Sequence, residues 1–298
     1  MKLEGGPRKQ QRPYSGVSMA YSAPITRERP ACLIFLLDQS ESMREPLGED
    51  QSVRRADFVA DAVNQTLQKL VIRCAATAEM RDYYYVSAIR YGGAVEPAFG
   101  GILGGRTLVP ISDAAKHPAR REGRTITVTD GDNSPNDQEV AFLLPVWIEL
   151  CPGGGARMCQ GLASARATVE EWLSEHPSGF PPTVLHVTAN ESSDGDPTQI
   201  ARRITSFSTD DGPVLLFNCH LSPSRSAKIE YPSRTAGLPN QSARMLFEIS
   251  SPLPNHLCES ARQAGVQIQE GAKGFVFSGD GASVVQFLEI GTAPANFG

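Results

Sequence analysis

The feature that most constrains this chain is Ala31-Cys-Leu-Ile-Phe-Leu-Leu37, an unbroken apolar run that ends abruptly at the polar stretch Asp38-Gln-Ser-Glu-Ser42. A strand with one wet face would alternate apolar and polar residues. A continuous run predicts a strand covered on both faces, the interior of a parallel sheet with helices above and below. It is far too short to cross a bilayer. From Ser52 to Cys74 the residues Val63, Leu67, Leu70, Val71 and Cys74 recur at helical spacing. Tyr83 to Tyr91 is aromatic and β-branched, which predicts a second strand, and the glycine-rich Gly92 to Gly105 suits turns. Met158, Leu162, Ala165, Val169 and Trp172 mark a second long helix. Pro182 to Thr188, a helix near Pro197 to Phe207, and Pro213 to Cys219 continue the alternation. The chain ends with helical segments at Ala243 to Ile249 and Leu257 to Ala264, the strand-like Gly274 to Phe277, and a closing helix through Phe287. The expected fold is a doubly wound, mostly parallel, Rossmann-like α/β sheet with helices on both faces.

Length and punctuation set the domain organisation. The chain has 298 residues, enough for one large core. Residues 1–28, rich in Gly, Pro, Gln, Arg and Ser and without apolar period, are expected to form a flexible basic tail. Residues 29–298 carry no linker composition and are expected to form one domain, with a β-hairpin inserted near 106–137 and a carboxyl-terminal extension. The clearest strand of that hairpin is Arg124 to Thr129, with Asp130 to Asp137 as its turn.

Charge and cysteine usage exclude several function classes. With 28 Lys+Arg against 33 Asp+Glu and a net charge of -5, no cationic field exists to hold a nucleic-acid backbone or an anionic membrane. The 6 cysteines are scattered without Cys-x-x-Cys spacing, which predicts reduced core thiols rather than a zinc or redox motif. No apolar stretch follows Lys2, Arg8, Lys9 and Arg12, so a cytoplasmic location is expected.

In open α/β sheets, ligands bind beyond the carboxyl ends of the strands. The loop leaving the first buried strand, Asp38-x-Ser40-x-Ser42, is therefore the leading candidate site. Weaker candidates have simpler explanations. Asp130 to Asn136 has oxygen side chains at alternate positions but lacks the Gly and Glu of a calcium loop. Cys219 and His220 are adjacent on a strand and point to opposite faces. His117, His176, His186 and His256 show no metal-ligand spacing and read as surface or satisfied core residues. The glycine runs at 100–105 and 153–155 lack a phosphate-cradling arrangement. A metal-assisted phosphohydrolase, the alternative function, generally needs Asp-x-Asp after the first strand, and Ser40 stands at the third position. The Gly-x-Ser-x-Gly elbow of serine hydrolases is absent as well.

Leu36-Leu-Asp-Gln-Ser-Glu-Ser-Met43, Gly154-Gly-Ala-Arg-Met-Cys159 before the second long helix, and His176-Pro with Phe180-Pro-Pro182 together resemble a von Willebrand factor type A domain of the intracellular bacterial type. The resemblance implies a metal-ion-dependent adhesion site, in which Ser40 and Ser42 ligate directly and Asp38 acts through water or a hydrogen bond. It also implies a Thr and a further Asp where this chain has Ala156 and Ala189. The expectation is a degenerate site that binds Mg²⁺ or Mn²⁺ weakly, with Glu41, Glu191, Asp194 and Asp196 as the carboxylates able to compensate. The resemblance implies a non-enzymatic adaptor that binds protein through Asp38, Ser40, Ser42, Asn190 and Glu191. By family analogy the partner is a kinase, protein phosphatase or AAA+ ATPase in a stress-response or defence system.

Overall fold

The computed structural model describes residues 20–47, 52–75, 80–128, 138–222, 228–278 and 280–295. The apolar run forms β1 (Ala31–Asp38), buried along its whole length. It leads through a turn at Glu41–Arg44 into α1 (Arg55–Cys74) and then β2 (Tyr84–Tyr91). The short strands β3 (Val95–Pro97) and β4 (Val109–Pro110) and the helix α2 (Ile111–Lys116) follow. Next come β5 (Arg120–Val128), β6 (Gln138–Val146), α3 (Met158–Glu175), β7 (Thr183–Thr188) and α4 (Thr198–Ser206). The two-residue strands β8 (Ser208–Thr209) and β9 (Gly212–Pro213) pair with each other and precede β10 (Leu215–Leu221). The chain closes with β11 (Ile229–Glu230), α5 (Gln241–Ile249), α6 (Asn255–Gln263), β12 (Phe275–Ser278) and α7 (Gly281–Gly291).

The main sheet has the order β11-β12-β10-β7-β1-β2-β3, with β4 also on β2. Its five inner strands, β12, β10, β7, β1 and β2, are parallel, and only the short edge strands run antiparallel. This is the Rossmann-like α/β sheet expected from the apolar run. Alternation along β1 explains its two-sided burial. Leu33, Phe35 and Leu37 pack with Val59, Val63 and Leu67 of α1 and Phe287 of α7. Ile34 and Leu36 pack on the other face with Leu162 and Val169 of α3, Ile204 of α4 and Leu246 of α5. From β1 the chain passes to β2 on one side and returns through α3 to β7 on the other, so the topological switch point lies between β1 and β7.

Two expected boundaries shift. Residues 20–28, read as part of the tail, belong to the body. The backbone amides of Ser22 and Ala23 donate to the Asp211 carboxylate at 3.0 and 3.1 Å, and Ile25 is buried. One apolar side chain and a distant carboxylate anchor them, a pairing no local period reveals. The hairpin expected near 106–137 runs instead from Arg120 to Val146, with β5 and β6 in register from Arg120↔Val146 to Val128↔Gln138. Val109 and Pro110 pair with β2 on the main sheet, so the preceding segment is not part of the insertion. The expected turn and the oxygen-rich stretch at Asp130 to Asn136 lie outside the described residues.

Candidate functional site

Asp38 closes β1 and is completely buried. Its carboxylate accepts the Ser40 amide at 2.7 Å, the Thr188 hydroxyl at 2.9 Å and the Ala189 amide at 3.1 Å. The first bond is an Asx-type turn that folds the chain back as the strand ends. The other two reach across the switch point and fasten the end of β7 to the end of β1. Thr188 was not singled out in the sequence. A lone hydroxyl on the last residue of a buried strand is the signal that could have marked it.

Ser40 is also fully buried. Its hydroxyl lies 3.4 Å from the Ser42 hydroxyl and 3.4 Å from the Asn190 amide nitrogen. Ser42 and Asn190 are partly exposed and Glu191 is exposed. Among the five residues expected to touch a partner, the fold therefore brings Asp38, Ser40, Ser42 and Asn190 together but leaves only Ser42, Asn190 and Glu191 at the surface. Asp38 and Ser40 hold the loops rather than present themselves.

A glycine at each of two loops makes the close approach possible. A Cβ on Gly92 would lie 2.8 Å from the carbonyl oxygens of both Gln39 and Gly153, so no larger residue fits where three loops meet. Gly154 has φ +74° and a Cβ there would meet Gly93 at 2.5 Å. The backbone bonds Gly153 N–H to Gln39 O, Gly93 N–H to Gly153 O and Glu41 N–H to Gly154 O complete the junction.

The donor set does not fit a divalent cation. Mg²⁺ and Mn²⁺ need several anionic or carbonyl oxygens around one point. Here Ala156 and Ala189 contribute methyl groups, and the single carboxylate, Asp38, already accepts three hydrogen bonds. The carboxylates expected to compensate are engaged elsewhere or lie outside the cluster. Asp194 accepts the Cys159 and Gln160 amides in the first turn of α3 at 2.9 and 3.0 Å and the Ser192 hydroxyl, and these bonds hold its pKa below the usual range against the opposing effect of burial. It serves as the negative cap of that helix, supplied from a distant loop. Asp196 accepts the Thr198 amide at 2.9 Å. Glu41 pairs with Arg44 at 2.8 Å on the surface. Glu191 makes no ion pair among the described residues. No group of three or more His, Cys, Asp or Glu able to hold a metal occurs among them.

Beneath the loops runs a buried polar chain. The Asn218 amide nitrogen donates to Ser250 Oγ at 2.8 Å and to the Leu246 carbonyl at 3.3 Å, which leaves its oxygen to accept from His186 Nδ1 at 2.8 Å. His186 Nε2 is then the unprotonated nitrogen and accepts the Tyr91 hydroxyl at 2.6 Å. Burial lowers the His186 pKa and raises that of Tyr91 well above the ordinary value, so both are neutral. His186 is thus a satisfied core residue, as its isolated spacing suggested. The Cys219 thiol and His220 are likewise core: burial pushes the thiol pKa up and the imidazole pKa down to about 4.

No family model and no curated protein matches this chain. Coarse likenesses exist among solved structures. The manganese-loaded TRAP protein of Plasmodium vivax is 11% identical with a TM-score of 0.41, over 90% of this chain and 74% of that one. The PilB minor pilin of Streptococcus sanguinis is 10% identical with a TM-score of 0.44, over 88% and 60%. Three N-terminal domains of the type V pili tip protein Mfa5 from Porphyromonas gingivalis match at 12% identity and a TM-score of 0.32, over 55% of this chain, which spans only 20% of that structure. At these scores the likenesses carry no information on activity. No helix among the described residues is long and apolar enough to cross a membrane.

Proposed function

We propose that the chain is a non-enzymatic protein-interaction module that binds its partner with the loops at the carboxyl ends of β1 and β7, through Ser42, Asn190 and Glu191. One observation carries this reading. Asp38, the carboxylate that closes β1 at the switch point, is buried and accepts three hydrogen bonds that tie two loops together. The place where such folds bind ligands is therefore a surface whose central carboxylate is withdrawn from solvent and serves to hold the loops. A phosphohydrolase of the Asp-x-Asp type would need the aspartate after its first strand to be accessible, and Asp38 is inaccessible. The sequence resemblance supports a von Willebrand factor type A module of the intracellular bacterial type, with a kinase, protein phosphatase or AAA+ ATPase in a stress-response or defence system as partner. A cytoplasmic location agrees with six cysteines that are all free.

The test is affinity capture of the tagged full chain from its native host, with mass spectrometry of what is retained. Ser42→Arg and Asn190→Arg lose the specific partner, while Ser178→Arg, at the amino end of β7, keeps it. A partner retained equally by all three variants refutes the assignment of the face.

A further inference from the structure

Beside the candidate face, a cavity of about 290 Å³ opens between the loop after β7 and the first turn of α5. It lies just below the roughly 300–1,000 Å³ of small-molecule sites, a size for one long side chain rather than a cofactor. Pro197 and Met245 supply apolar wall, and Glu191, Asp196, Gln241 and Ser242 supply polar groups. Ser242 is the informative residue. It is 4% exposed and its hydroxyl has no hydrogen-bond partner, although buried hydroxyls are normally satisfied.

The charge at the cavity is also unbalanced. The positive end of α4 is met by Asp196, which accepts the Thr198 amide and lies near Arg202, and that of α5 is capped by Asn240, which accepts the Ala243 amide at 2.8 Å. Glu191 is left as an exposed carboxylate with no cation paired to it among the described residues. We propose that this cavity receives a lysine or arginine side chain of the protein partner. Pro197 and Met245 flank the aliphatic stem, the charged head pairs with Glu191, and the unpartnered Ser242 hydroxyl, buried beneath the cavity wall, turns outward to accept one of its N–H groups. The inference rests on the interaction-face reading and deepens it.

The probe is Nα-acetyl-arginine methylamide, with its lysine analogue and the uncharged norleucine analogue as comparison, titrated into the ¹⁵N-labelled full chain. The two cationic probes shift the amides of Glu191, Ser192, Gln241 and Ser242 saturably, and the norleucine probe does not. Glu191→Gln weakens the cationic probes by about fivefold, the usual scale of one partly exposed charge pair, and Ser242→Ala weakens them with the rest of the spectrum unchanged. Equal shifts with norleucine, or undiminished binding by Glu191→Gln, overturn the pocket assignment. If the pocket fails while Ser42→Arg and Asn190→Arg still abolish capture, the face stands without it. If the probes bind as expected while capture is indifferent to those two changes, the face falls, and with it the partner assignment of the pocket.

Discussion

The Thr188 hydroxyl donates to the Asp38 carboxylate at 2.9 Å, joining the last residues of two neighbouring parallel strands. That bond, with those from the Ala189 and Ser40 amides, gives a buried carboxylate a scaffolding role. Asp38→Ala removes the acceptor and leaves buried donors without a partner, at about 1–3 kcal/mol for each group so stranded. The expected loss is about 3 kcal/mol, with Asp38→Asn milder because it keeps one acceptor oxygen. Urea unfolding checks it. A loss under about 0.5 kcal/mol for the alanine variant, the scale of a surface change, contradicts the scaffold role.

Metal dependence follows from the same donor set. The protein is expected to bind Mg²⁺ or Mn²⁺ no better than in the millimolar range, as incomplete hard-cation sites do, and its melting temperature should be unchanged by a chelator. Restoring oxygen ligands with Ala156→Thr and Ala189→Asp together should raise affinity by roughly tenfold or more. Calorimetry decides it: micromolar binding by the unmodified protein, lost on Ser40→Ala, means that the loops rearrange to build a site.

His220 sets a pH dependence. Burial is the main cause that lowers its pKa from 6.5 to about 4, with the Arg55 charge adding to it. The unfolded chain therefore takes up a proton before the folded one does, and stability is lost as pH falls from about 6.5 towards 4. The group accounts for about 3 kcal/mol across that window. His220 Nδ1 has no partner, so His220→Leu strands nothing through that nitrogen. The variant should show a shallower stability decline between those pH values in paired urea titrations. Parallel curves for the two proteins would refute the assignment.

The hairpin is fastened to α1 electrostatically. Both Arg124 guanidinium nitrogens reach Asp61, at 2.7 and 2.8 Å, and one also reaches Glu122 at 3.1 Å, which raises the Arg124 pKa. These groups are about one-third exposed, so water and salt screen them. Arg124→Ala should cost no more than about 1 kcal/mol of global stability. It should nevertheless speed limited proteolysis within β5 and β6, and high salt should do the same to the unmodified chain. Cleavage rates indifferent to both changes contradict this anchoring.

The sequence by itself determined the sheet. The unbroken run at Ala31 to Leu37 requires helices on both faces, and the helical spacing at Val63 to Cys74 and Met158 to Trp172 supplies them. These are short-range patterns, and hydrophobic burial acts on them with little regard to the rest of the chain. Asp38, Ser40 and Ser42 were legible for the same reason: a polar triplet directly after a buried strand must sit at its carboxyl end.

Only the tertiary structure decided what those residues do. Whether a carboxylate is open to a ligand depends on donors far along the chain. Thr188 and Ala189 close over Asp38, and Asp194 is drawn to the start of α3 rather than to the serines. The anchoring of residues 20–28 by Asp211 and the cavity beside Ser242 are likewise long-range products. Hydrogen-bond geometry and burial arise from packing between segments, and the local alternation of apolar and polar residues encodes which segments pack inward but not which polar atoms meet.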